Sequence, residues 1–177
     1  MTTKVPLEAI KELRNLTCAS IAECKKALHE SDGDIKKATV LLRKRGLEIA
    51  AKKQERAAKE GRIEAYVHLG NKVGVLLEVD SETDFVARNP EFAQFTKDVA
   101  MQITALSPTY IKREDVPADV IEQEKDKELF YKTHCLLEQA FVKDPSMTIK
   151  DYLGSLVAKF SENIFIRRFI RYKIGEN

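Results

Sequence analysis

The spacing of apolar and polar positions changes once along the chain. From Leu7 to Leu42 apolar residues recur at helical intervals: Leu7, Ile10, Leu13 and Leu16, then Ile21, Cys24 and Leu28, then Ile35, Ala38, Leu41 and Leu42. Intervals of three and four put such residues on one face of a helix. Pro6 suits a first turn, Ser20 and Glu23 form a capping box, and Ser31-Asp32-Gly33 stops the second helix. Asp34 can cap a third helix, for which Gly46 is the expected end. Residues 50–60, AAKKQERAAKE, are good helix formers without an apolar stripe and read as a solvated helical arm.

After Gly61 the period becomes two. Ile63, Ala65, Val67 and Leu69 alternate with Glu64, Tyr66 and His68. Leu69-Gly70-Asn71-Lys72 supplies a turn, and Val73 to Val79 returns as an apolar strand, so a hairpin is expected. Asn89 as cap, Pro90 in the first turn and Glu91 beside it mark a helix start, with Phe92, Phe95, Val99, Ile103 and Leu106 as its stripe. Residues 107–117 suggest a short third strand, and 118–141 a largely helical stretch with Val120, Ile121, Leu129, Phe130 and Leu137 as buried positions. Asp144-Pro145 is expected to interrupt the chain, residues 149–160 to form a helix, and Asn163 to Ile174 to close as a strand. The expected class is α+β: an N-terminal three-helix domain over 1–50, a helical linker over 51–60, and over 61–177 an antiparallel sheet with helices on one face.

Composition narrows the function. Among 177 residues the net charge is +2, too small for bulk attraction to nucleic acid. No apolar run is long enough to cross a bilayer. The opening MTTKVPLEAIKEL has no secretory apolar core, so neither a nucleic-acid nor a membrane partner is expected and a cytoplasmic location is. Cys18, Cys24 and Cys135 show no CxxC spacing, and His29, His68 and His134 are scattered, which predicts small buried thiols and no metal site. Neither GxxxxGK[ST] nor GxGxxG nor GxSxG occurs. No cofactor and no catalytic residue are expected.

One stretch does not fit a purely structural account. In SETDFVARNPEF a carboxylate and a phenylalanine, Asp84 and Phe85, sit in a short connection between the apolar strand and the capped helix. From patterning alone, Phe85 is as well placed to fold back over the hairpin as to remain in solvent. TDFVARNPEF resembles the signature of translation elongation factor Ts, the exchange factor for the GTPase elongation factor Tu. KELRNLT, ECKKAL, GDIKKA, GVLLEVDSETDFVARN, LLEQAFVKDPSMTI and ENIFIRRFIRYKIG resemble further blocks of that family, in the family's order and over nearly the whole chain.

The resemblance implies a ubiquitin-associated-like N-terminal domain and one core subdomain. It also implies nucleotide exchange on elongation factor Tu, in its GDP-bound and nucleotide-free forms, without bond chemistry. Asp84 and Phe85, flanked by Thr83 and Val86, match the family's wedge toward the partner's magnesium site. Arg14, Ile21, Ala22 and Lys25 match N-terminal contact positions, and the core admits a homodimer. From the residues alone, Arg14 and Lys25 equally suit a solvated helix face, and Ile21 a core position. Two departures stand out: Thr17 to Glu23 replaces a Gly-rich stretch with a methionine pair, and the segment between Pro117 and LLEQAF is short. Two other functions compete. One is an adaptor using the three-helix domain without exchange; the other is RNA binding by Arg167, Arg168 and Arg171. The alternation of those arginines with Ile and Phe reads better as a strand with one wet face.

Overall fold

The computed structural model describes residues 5–17 and 19–176, so Cys18 lies outside the described residues. The chain divides into two compact units: residues up to Arg56 with Asp151–Asn163, and Ala57–Lys150 with Ile164–Asn177.

The first unit is helical. Helices α1 (Leu7–Thr17), α2 (Ile21–Glu30) and α3 (Ile35–Lys53) enclose Ile10, Leu13, Cys24, Ala27, Leu28, Ala38 and Leu42. The expected caps form: the Ser20 hydroxyl accepts from the Glu23 amide at 3.2 Å, and the Asp34 carboxylate from the Lys37 amide at 3.0 Å. The turn between α2 and α3 holds Asp32 and Gly33 at positive φ, which favours glycine at the second position. The stripes are narrower than their spacing suggests, with Leu7, Leu16 and Ile21 all exposed. Ile21 is therefore not core.

Gly46 does not end α3, which continues to Lys53. Its role is close approach: a Cβ there would stand 3.0 Å from the carbonyl oxygen of Gly154, in helix α8 (Ile149–Phe160). The Lys53 ammonium donates to the Ser161 carbonyl at 2.6 Å. The side-chain Nδ2 of buried Asn163 donates to the backbone carbonyls of Arg56 at 2.7 Å and Gln54 at 3.3 Å. These bonds satisfy carbonyls where the helix stops. The arm over 50–60 is accordingly helical only to Lys53, and strand β1 begins at Glu60.

The second unit holds an antiparallel sheet in the order β1-β2-β5, made of β1 (Glu60–Val67), β2 (Val73–Ser81) and β5 (Phe165–Lys173). Between β2 and helix α5 (Pro90–Leu106) lies the four-residue helix α4 (Asp84–Ala87). Phe92, Phe95, Val99 and Ile103 of α5 are fully buried, as are Leu77 and Val79 of β2, while Leu106 is exposed. With helices against one face of an antiparallel sheet, the fold is α+β. β1 turns its polar set toward the helix, and Glu64 accepts from the Thr96 hydroxyl at 3.1 Å. Its apolar set faces the other way: Ile63 and Val67, with Leu76 of β2 and Ile170 of β5, are exposed.

Residues 107–117 form no strand. They are an extended strap with one bridge, Tyr110 to Cys135, and a 3-10 turn at Arg113–Asp115. Arg113 pins that turn through Glu128 and Glu138, each at 2.7 Å. The stretch over 118–141 is broken into α6 (Ala118–Gln123), α7 (Lys127–His134), a 3-10 turn and strand β3 (Ala140–Phe141). None of Val120, Ile121, Leu129, Phe130 and Leu137 is fully buried, and Cys135 and Leu136 fill the core instead. Asp144-Pro145 opens strand β4 (Asp144–Thr148), which pairs with β3. That ribbon is held by buried Gln102 on α5, which accepts from the Val142 amide at 2.9 Å and donates to the Ala140 carbonyl at 3.0 Å.

Candidate functional site

The connection from β2 to α5 is shaped from both ends. At one end, buried Val79 and Ser81 anchor the strand, and at the other the Asn89 side-chain Oδ1 accepts from the Glu91 amide at 2.8 Å, fixing where α5 starts. Thr83 is extended and caps α4, with its hydroxyl 3.5 Å from the Val86 amide. The Arg88 amide donates to the Asp84 carbonyl at 3.0 Å and the Asn89 amide to the Val86 carbonyl at 2.9 Å. Val86 and Ala87 are buried, so the turn packs inward by one side.

Its other side is in solvent. Phe85 is 87% exposed, which excludes the core alternative. Thr83 and Asp84 are exposed beside it, and the Asp84 carboxylate stands 3.1 Å from the Arg88 guanidinium. Both charges are open to water, so this pair contributes little to stability. The structure thus brings Thr83, Asp84 and Phe85 together on the surface and sends Val86 underneath.

The second group of candidates lies in the helical unit. Arg14 is exposed on α1, and Ile21, Ala22 and Lys25 are exposed on the first turns of α2. Ile21 is 59% exposed, next to buried Cys24. On α2 Lys25 lies four residues from Ile21 and three from Ala22, spacings that make it a surface neighbour of both.

The model of the family described as Elongation factor TS matches residues 4–129 and 127–176. Proteins named Elongation factor Ts are similar over almost their full lengths. That of Caldanaerobacter subterraneus subsp. tengcongensis is 47% identical over 97% of this chain and 98% of its own. That of Thermodesulfovibrio yellowstonii is 47% identical, covering 97% of both, and that of Thermotoga neapolitana 46%, covering 98% of both. The chain belongs to the elongation factor Ts family.

As a member of the elongation factor Ts family it is a translation elongation factor of the nucleotide-exchange type. Among the described residues the thiols are held protonated: burial raises the pKa of Cys24, and burial pushes that of Cys135 up to about 11. Among the described residues, no group of three His, Cys, Asp or Glu is placed to hold a metal. No helix among them is long and apolar enough to cross a membrane.

Two features lay outside what the hydrophobic pattern singles out. The uncovered sheet face carries a shallow hollow of about 380 Å³ lined by Ile63, Leu76 and Ile170, with Glu78 and Arg168 beside them. Alternation in β1 signalled two faces but not which one the helix covers. The other is Ser81, fully buried beneath the turn and donating to the Thr83 carbonyl at 3.0 Å. A polar residue ending an apolar strand was the available signal.

Proposed function

We propose that this protein is the guanine nucleotide exchange factor for elongation factor Tu, and that Asp84 and Phe85 are the part that drives GDP from the partner. The observation that carries this reading is the exposed Phe85 ring, set on a short turn whose next two residues are buried. A large aromatic held in water by a rigid support is poised for burial against a partner. Because a strand end and a capped helix already fix the turn, docking orders little further chain.

In this mechanism the ring enters the partner beside its bound Mg²⁺. That ion demands near-octahedral geometry at about 2.1 Å, so small displacements of its surroundings weaken it. Loss of the ion leaves the GDP phosphates less neutralised, and GDP departs. This chain makes and breaks no bond and needs no cofactor. Coupling is reciprocal, so it binds the nucleotide-free partner more tightly by the factor by which it weakens GDP. Arg14, Ile21, Ala22 and Lys25 form a second contact. In this division of labour residues 1–50 are a ubiquitin-associated-like contact module, 51–60 the connection and 61–177 the core carrying the wedge, in the cytoplasm.

A second copy of the chain is the occupant we propose for the outer sheet face, since Ile63, Leu76 and Ile170 are all exposed there. An RNA partner is disfavoured by the pairing of Arg167 with Asp80, Arg168 with Glu78 and Arg171 with Glu176. The test of the main reading is release of labelled GDP from elongation factor Tu. Acceleration that saturates with this protein supports exchange. Binding without acceleration would favour the adaptor.

A further inference from the structure

A four-residue helix cannot stabilise itself, because nucleation fixes several residues for one hydrogen bond. The internal bonds at the start of α4 are long: 3.5 Å from the Val86 amide to the Thr83 hydroxyl, and 3.3 Å from the Ala87 amide to the Thr83 carbonyl. The Ser81 hydroxyl reaches the same carbonyl at 3.0 Å. Ser81 is fully buried and is the last residue of β2, opposite Glu60 of β1. Its hydroxyl is therefore fixed to the sheet rather than to the turn.

The Thr83 carbonyl belongs to the planar peptide that also carries the Asp84 N–H. Anchoring that oxygen sets the orientation of the whole peptide unit, and with it the direction in which the chain enters Asp84 and Phe85. The two side chains do different work. Phe85 supplies contact area, and Ser81 determines how often the ring is already aimed.

We propose that Ser81 is a positioning residue for the Asp84–Phe85 wedge, which it holds in the docking orientation from inside the protein. This rests on the exchange reading above. If the docking-competent turn becomes only fractionally populated, apparent affinity falls by that fraction while the bound state is unchanged. Ser81→Ala should therefore raise the concentration giving half-maximal GDP release from elongation factor Tu by about 3- to 10-fold, the worth of one neutral hydrogen bond. The maximal rate should not change. The Thr83 carbonyl keeps the Ala87 amide as a partner, so the melting temperature should fall by no more than about 2–4 °C.

Two measurements separate this from a merely structural role. In the free protein, Ser81→Ala should speed hydrogen exchange at the Val86, Ala87 and Arg88 amides by a similar factor, with Leu77 and Val99 unaffected. In a double-mutant cycle, Ser81→Ala should cost little more once Phe85→Ala is present, because its effect runs through the ring. Unchanged amide exchange at 86–88 would overturn the proposal, as would a cost in the Phe85→Ala background equal to that in the wild type. If Phe85→Ala alone stimulates release normally, the exchange reading of the wedge fails, and the docking role of Ser81 fails with it.

Discussion

Phe85 and Ile21 are both exposed apolar side chains next to a buried residue, yet their supports differ. Phe85 projects from a four-residue turn clamped between a strand and a capped helix, whereas Ile21 begins a ten-residue helix that stands on its own Ser20 cap. One is 87% exposed and aromatic, the other 59% exposed and aliphatic. Interface energy concentrates in large, preorganised aromatic anchors, while smaller apolar residues ringed by charges add complementarity. Under the exchange mechanism we propose, the decisive contact therefore falls to Phe85 and a supporting one to Ile21.

The largest expected effect is at Phe85. Phe85→Ala should slow stimulated GDP release at limiting concentration by about 30- to 1,000-fold, equivalent to about 2–4 kcal/mol of hot-spot contact. Its buried neighbour should behave in the opposite way: Val86→Ala should lower stability, by about 1–2 kcal/mol in chemical denaturation, more than it lowers exchange. Gly46→Val should also act on stability alone, by about 1–3 kcal/mol, because a side chain there meets the Gly154 backbone. Ile21→Ala should cost about 0.5–1 kcal/mol of complex affinity with no change in melting, read by titration of the nucleotide-free partner. An effect as large as that of Phe85→Ala would erase the contrast between the two surfaces.

The smallest effect is electrostatic and confined to the helical unit. Hydrogen bonding to Arg45 holds the Glu30 carboxyl below its ordinary 4.5. A depressed carboxyl contributes stability that is present above the unfolded value and lost as pH falls through the folded one. A slight loss of stability should thus begin below about pH 4.5 and be reduced in Glu30→Gln, measured by denaturation across that range.

What could be read from sequence was local. Ser20, Asp34, Asn89 and Pro90 marked helix starts because capping depends on neighbours within a turn. Gly46 looks like a helix end in the sequence because the reason for it lies at Gly154, far along the chain. Residues 107–117 look strand-like, but Arg113 and Tyr110 bind segments more than twenty residues away or fold into a 3-10 turn, and no periodicity reports that. The Asp84-Phe85 motif is legible in the sequence. Its exposure is not, since a phenylalanine at a strand end fits either core or surface until the packing of Val86 is known.

The most direct test of the wedge places two readouts on one protein. Wild type and Phe85→Ala are melted, and each is then titrated into elongation factor Tu loaded with labelled GDP. The account predicts nearly equal melting temperatures with strongly impaired release by the variant. A variant that melts early but, while folded, releases GDP at the wild-type rate would return Phe85 to a structural role and contradict the mechanism.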